Sequence, residues 1–515
     1  MIVKNSLIKV LNYFAILILS IIGIFVLAFN TFVTMDWHEI PLIRNNNILI
    51  LLLFVVFLCI MIIMQPVLDK IPTKLFFGVV FFTFALAGLY LVLNADTKLS
   101  LSDPFFCINA ANDFNHGNYA SLRRGQYLAV YPFQLFWVSL LRLPLSITTS
   151  IRFLYILNYI WGLVAFILFY KIATLVGINN SSINTVTFLY VCFLPNLYNC
   201  LFIYNNVPAY TIFLLSIYFF IKSFNKRKSY LYYFIVMFTC VVAYFIKNNF
   251  LIGIIAILII YWLSDLKLKD KLLITVFGIA CILTINLSVT NYYKSKGHLD
   301  SGIPKIAYVV MGLQQSGPKY GRFSGYTVKV LKSENFSTDL ANQQAKKDLT
   351  KRYVYLRKHP KYMLKFFIKK TITTWTDPLF QSIWDGPLES NGAKYNTRII
   401  SSVYSTNGKG ILARISAVIS QLCVLTTIIV AIYGAVNLCI KNNMDTNLRV
   451  YGNFALLFLI GGFIFHLFWE TKSQYVWQYV DILLPFSGVM LTILADFLMK
   501  ALGKGKNNYV EKEKI

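Results

Sequence analysis

The sequence predicts an all-α polytopic membrane protein with about twelve transmembrane helices and a mixed extracytoplasmic subdomain. Three observations carry this. Of the 515 residues, 57% are hydrophobic and 13% charged, about half the charge of a soluble domain, and the mean hydropathy is +0.62. Continuous apolar runs of spanning length recur along most of the chain. The basic residues are distributed unevenly between the turns that join those runs. Disordered, collagen-like and ordinary cytosolic chains are excluded on composition alone.

A helix needs about 20 mostly apolar residues to cross the hydrocarbon. Such runs fall near 9–33, 48–68, 75–94, 151–177, 185–203, 207–223, 230–246, 250–264, 272–290, 411–440, 450–468 and 477–499. Runs 185–203, 207–223 and 250–264 are the short ones. Continuous apolarity in place of alternation rules out a β-barrel. The first run is too long for a secretory signal and is followed by no small-residue cleavage site, so it is expected to stay as a helix. Pro195 with Asn196 and Asn199 is the conspicuous polar break within a run and reads as a kink. The chain divides into a transmembrane module at 1–290 with a large outer loop at 95–150, a basic outer segment at 291–410, and C-terminal helices with a cytoplasmic tail at 411–515. Within the outer segment, 337–372 has a basic helical pattern and is expected to lie against the membrane surface.

Orientation follows from the lysines and arginines. With Lys4 and Lys9 inside, the cytoplasmic segments also hold Lys70, Lys74, Lys171, Lys222, Lys226, Arg227, Lys228, Lys267, Lys269, Lys271, Lys441, Arg449, Lys500, Lys504, Lys506, Lys512 and Lys514. The short outer loops hold Arg44, Lys247 and Lys472. Nineteen against three places both termini in the cytoplasm. Segment 291–410 has 20 Lys+Arg and 7 Asp+Glu, a net of +13. Long loops escape the orientation rule. Their positive charge suits anionic headgroups or a phosphate-bearing substrate.

Other chemistries are poorly supported. Cys59, Cys192, Cys200, Cys240, Cys281, Cys423 and Cys439 fall in predicted spans, leaving Cys107 alone outside, so no disulfide staples the outer loops. His38, His116, His298, His359 and His466 are scattered, against a zinc site. There is no GxxxxGK[ST] and no GxGxxG, and the cytoplasmic turns are too short for a nucleotide-binding domain. Nucleic acid is not an expected partner; the bilayer is.

The polar groups that remain concentrate outside. Asp96, Asp103 and Asp113 lie in the first large loop. Proline after Asp103 disfavours helix at that aspartate, and a short helix from about Pro104 to Asn115 should follow. Alone, Asp103 reads as a helix cap. Arg123 and Arg124 lie near a Gly-Gln-Tyr turn, and Tyr131-Pro132 opens an amphipathic stretch. Tyr204-Asn205-Asn206, Lys247-Asn248-Asn249 and the turn from His466 to Tyr475, with Glu470 and Lys472, share that side. Singly, these are snorkelling lysines and interface aromatics. Together, acids and cations at one membrane face suit general-base catalysis beside phosphate stabilisation.

The order of these pieces carries a resemblance: an early aspartate in a first large outer loop, Tyr-Pro-x-Gln at 131–134, Lys-x-Asn at 247–249, and Trp-Glu-x-Lys-Ser-x-Tyr at 469–475. The chain resembles bacterial GT-C-fold glycosyltransferases that take sugar from a polyprenyl-phosphate carrier, relatives of the protein O-mannosyltransferases and lipid A aminoarabinose transferases. MGLQQSGPKYGRFSGYT (311–327) and TTWTDPLFQSIW (373–384) also look like their outer-loop sequences. The resemblance implies Asp103 as catalytic base and Asp113 as a second acid orienting the acceptor or a metal. It implies a substrate site of Arg123, Arg124, Tyr131, Lys247, Asn249, Glu470, Lys472 and Tyr475, with Lys247 near the carrier phosphate. The donor would be a polyprenyl-phosphate-linked sugar. The acceptor would be an envelope polysaccharide, teichoic acid or glycolipid, and a donor synthase and a flippase would be partners. No cofactor is required, since phosphate leaves readily; a divalent metal is compatible. Gln474 stands where that family often has arginine, and three spans precede the Asp103 loop where its simplest members have one.

Two other classes fit less closely. A polysaccharide polymerase or ligase would rely on loop arginines, here Arg322, Arg352, Arg357 and Arg398. A lipid or polysaccharide transporter would place charges at mid-membrane, where these runs are nearly free of them.

Overall fold

The computed structural model describes residues 5–34, 38–99, 102–225, 230–297, 299, 301–405, 410–440 and 444–502. Lys4, Lys226, Arg227, Lys228, Lys441, Lys504, Lys506, Lys512 and Lys514 of the charge count lie outside these residues, as does His298.

Among the described residues, nine helices are long and apolar enough to cross a membrane: Ser6–Ala28, Ile48–Lys70, Thr73–Asn94, Ile151–Val176, Asn206–Phe224, Leu268–Lys294, Ile411–Ile440, Thr446–Phe468 and Trp477–Ala501. Each matches a predicted run. The other three runs differ. Tyr230–Ile246 and Leu251–Leu263 are helices of 17 and 13 residues, about 26 and 20 Å long at 1.5 Å per residue. Run 185–203 is a break, not a kink: helix Asn180–Cys192 stops, Pro195–Tyr198 makes one turn, and Asn199–Leu201 is a 3-10 turn. Proline cannot supply the amide that would continue the helix. The freed carbonyls are taken up by Asn158, whose Nδ2 lies 2.9, 3.1 and 3.0 Å from the oxygens of Asn199, Cys200 and Phe202. A second break, of 102°, separates Ala120–Val130 from Pro132–Leu145 at Tyr131-Pro132.

The two ends of the chain share one bundle. Helix Asn5–Ala28 packs on Ile411–Ile440 and on Thr446–Phe468, and Trp477–Ala501 packs on Ile411–Ile440 and Asn180–Cys192. Paired amides lock this core: Asn12 donates to Asn453 at 3.1 Å, and Gln65 joins Thr185 and Thr492. In an apolar surround such polar groups must find one another. Asp481 in the last span is fully buried, accepting from Tyr210 and, at 3.0 Å, from Asn196. The spans are therefore less free of acids than the sequence reading held, and Asn196 serves as this carboxylate's partner.

The predicted first run ends early. After Ala28, Phe29–Val33 leaves as a strand and pairs antiparallel with Pro41–Asn45; the aromatic and β-branched residues of FNTFV suit a strand. Thr31 binds Thr376 through its amide, 3.0 Å, and its hydroxyl, 2.8 Å, fixing the hairpin to segment 291–410. Among its described residues that segment, expected to be mixed, consists of helices joined by turns and loops, its strands being the two-residue pairs Gln315–Ser316 and Lys319–Tyr320. Its helices are Lys305–Gly312, Tyr326–Ser333, Thr338–Lys358, Pro360–Trp375 and Arg398–Tyr404. The predicted helix over 337–372 is two helices parted at His359, because Pro360 disfavours helical backbone in the residue before it.

Candidate active site

Asp103 opens the helix Asp103–Asn115, with Pro104 next and an acid in the first turn, where the helix dipole favours it. Its carboxylate is exposed and accepts a 2.9 Å hydrogen bond from the Tyr127 phenol. Tyr127 stacks on Phe106 of the same helix, centroids 5.0 Å apart, so the bent segment after residue 120 steadies the aspartate.

The turn between Thr446–Phe468 and Trp477–Ala501 supplies further charges. Lys472 pairs with Glu39 at 2.8 Å, and Arg322 lies 3.6 Å from the same carboxylate. Glu39 sits beyond the first hairpin strand at φ 52°, and also accepts from Gln381 at 2.9 Å. Arg322 donates to Gln381 at 2.7 Å, and Ser473 donates to Asp377 at 2.8 Å. Burial would raise the Glu39 carboxyl, but the two cations and their donors hold it below its ordinary value. Lys472 is raised above the usual lysine value, its burial outweighed by Glu39 and Glu470. Glu470 has no ion pair within 4 Å among the described residues; burial, with Glu39 and Asp103 adding and Lys472 and Arg322 opposing, pushes it up to about 7. Burial drives Asp385 up as well. With its amide turned to donate, Gln474 reaches both Asp385 oxygens, at 2.8 and 3.1 Å.

Lys247 adds a buried lysine to the cluster. It follows directly on helix Tyr230–Ile246, donates to Asn206, and lies 5.7 and 5.6 Å from the ring centres of Tyr204 and Tyr475. Burial lowers it to about 7, against the pull of Asp385 and Asp103.

The structure therefore gathers Asp103, Tyr131, Lys247, Glu470, Lys472 and Tyr475 in one electrostatic neighbourhood: the charges of Asp103 and Glu470 bear on both tyrosines. It leaves others aside. Asp113 is ten residues further along the Asp103 helix, about 15 Å away. Arg123 is exposed, and Arg124 is exposed and donates to the Asn335 carbonyl. Asn249 is half-buried on the 3-10 turn Asn248–Phe250. Asp96 accepts amides of Lys98 and Lys394, a loop tie. Of the arginines in the polymerase reading, only Arg322 joins the cluster; Arg352 binds the Leu313 carbonyl and Tyr362, while Arg357 and Arg398 are exposed.

Sequence reasoning missed Glu39, Asp385, Asp377 and Lys370. Lys370 is 1% exposed and donates to the carbonyls of Gly312, Leu467 and Trp469 at 2.5, 2.9 and 2.8 Å, tying the outer helices to the turn that bears Glu470. Its place in LKFFIKKTITTW, a lysine inside an amphipathic apolar stretch, was the one available signal.

An exposed carboxylate can take a proton, and the buried cation Lys247 can meet an anion. Among the described residues no group of three or more His, Cys, Asp or Glu is placed to hold a metal ion. No family model and no curated protein matches the chain. Among solved structures it overlaps with the archaeal oligosaccharyltransferase AglB from Archaeoglobus fulgidus, in complex with an inhibitory peptide and a dolichol-phosphate, at 14% identity and a TM-score of 0.43, over 86% of this chain. The chain spans about half, 53%, of that protein's length.

Proposed function

We propose that this protein is a GT-C-type membrane glycosyltransferase that moves a sugar from a polyprenyl-phosphate carrier to a hydroxyl of an envelope polysaccharide, teichoic acid or glycolipid on the outer face of the membrane. The observation that carries the reading is the division of charges in the cluster. Glu39 is matched by Lys472 and Arg322, Asp377 by Ser473 and backbone amides, and Asp385 by Gln474. Asp103 is the exposed acid, held only by a phenol among the described residues.

In this reading Asp103 takes the proton of the acceptor hydroxyl as that oxygen bonds to the anomeric carbon. The bond from that carbon to the phosphate oxygen breaks, and its electron pair leaves with the phosphate. Lys247 meets the developing charge, which a water-poor setting makes more valuable. One displacement inverts the anomeric centre. Glu470, its carboxyl pushed up to about 7 by burial, holds a sugar hydroxyl instead of competing as base.

The test is transfer of a radiolabelled hexose from its polyprenyl phosphate to envelope acceptor in proteoliposomes. Wild type should transfer, and Asp103→Asn should lower the rate by about 10²–10⁴-fold. Undiminished transfer by Asp103→Asn would move the base to Glu470. No transfer from any of several hexoses would overturn the reading.

A further inference from the structure

Helix Lys305–Gly312 brings to the cluster a polar group that none of the contacts above uses. The phenol oxygen of Tyr308 is buried and has no hydrogen-bond partner among the described residues. Buried hydroxyls are almost always paired, so an unpaired one at a reactive site calls for an explanation. Nor is this side chain free to swing towards a partner. Its ring stacks on Trp469, centroids 5.3 Å apart and planes 6° from parallel, and Trp469 stacks in turn on Phe465 at 5.1 Å. The helix is pinned too, because Lys370 holds the Gly312 carbonyl and a Cβ at Gly312 would come within 2.3 Å of the Trp469 carbonyl carbon.

The groups whose charge bears on the Tyr308 phenol are Tyr131, Glu470 and Asp103. Burial and these acids keep it protonated, so it offers one donor and two acceptor lone pairs. A phosphate brought to this side would meet two carboxylates. A sugar hydroxyl suits this side, donating to a carboxylate while accepting from the phenol. A phosphate suits the buried lysine Lys247 instead.

Resting on the transferase reading, we propose that Tyr308 is a substrate-binding residue whose phenol hydrogen-bonds a sugar hydroxyl between Asp103 and Glu470. That hydroxyl belongs either to the transferred sugar or to a glycan acceptor.

Tyr308→Phe deletes the oxygen and keeps the stacked ring. Steady-state transfer with both substrates varied, direct binding of the polyprenyl-phosphate hexose and of the acceptor glycan, and thermal unfolding are measured on wild type and variant. The expected result is a fall in kcat/KM of about ten- to hundredfold, with unfolding unchanged or shifted upward because an unpaired buried hydroxyl has gone. Weakened donor binding assigns the contact to the transferred sugar, and weakened acceptor binding to the acceptor. A kcat/KM and affinities within twofold of wild type would overturn the proposal, as would an activity loss that tracks a drop in stability. A wild type that binds the donor yet never transfers it would overturn the transferase reading while the binding ratio still decides Tyr308. A wild type that binds neither overturns both.

Discussion

Lys370→Met probes how the outer helices are coupled to the turn that carries Glu470 and Lys472. The ammonium lies at the C-terminal ends of Lys305–Gly312 and Thr446–Phe468, where carbonyls are otherwise unpaired and the helix dipoles are negative. Burial still wins: Lys370 falls from the usual 10.5 to about 7, with Glu470 opposing the drop. That fall favours the neutral amine by roughly 5 kcal/mol. A folded-state value below the unfolded one means the folded protein binds fewer protons between about pH 7 and 10.5, so stability rises with pH across that window. From pH 7 to pH 9 the lysine contributes about 2 kcal/mol of this rise. The Met variant should lose it, and at every pH should also pay for carbonyls left without a donor, about 1–3 kcal/mol each as an upper bound. Urea unfolding in mild detergent, followed by tryptophan fluorescence at pH 7 and pH 9, reads both effects. Lys247 titrates in both proteins and cancels; the difference between the two pH dependences reports Lys370 together with its electrostatic effect on Glu470. Parallel pH dependences would refute the assignment, and so would a variant as stable as wild type at pH 7.

Glu39→Gln should destabilise more than Lys472→Met, by about 3–5 kcal/mol, because it strands two buried cations, whereas loss of Lys472 leaves Glu39 with Arg322 at 3.6 Å. Unfolding of both single variants and the double variant checks this, and strictly additive costs would rule out the pairing. Lys247, lowered to about 7, loses its charge as pH rises through that value, so donor KM should climb between pH 6 and pH 8, by about tenfold at most; Lys247→Arg should flatten the profile. Gly312→Ala places a methyl 2.3 Å from backbone of Trp469 and should cost about 1–3 kcal/mol together with turnover, whereas Gly78→Ala, with nothing within 4 Å, should be neutral or slightly stabilising; equal effects in thermal unfolding would contradict the packing.

The spans were legible because partition into lipid is a local property: summing the apolar character of about 20 consecutive residues needs no knowledge of the rest of the chain. The helix at Asp103–Asn115 was legible for a similar reason, since Ser-Asp-Pro is a start signal written in adjacent residues. Lys247, Glu470 and Lys472 could be noticed as charges in short outer turns. What could not be read was which of them meet. Asp103 and Asp113 share a loop and looked like a pair, yet the helix between them sets them about 15 Å apart.

Glu39 shows the converse. It is one acid in a short loop, with no motif around it, and its partner Lys472 is 433 residues away. The break at Pro195 was visible, but not that Asn158 would take up its carbonyls or that Asn196 would serve Asp481. The sequence by itself determined that the chain is helical, polytopic and basic on one long segment, because hydrophobic burial and helix signals add up along the chain. Only the tertiary structure decided which acids are matched by cations, which remain free to take a proton, and where a phenol stands without a partner among the described residues, because those outcomes depend on a few ångströms of approach between segments that the chain itself keeps far apart.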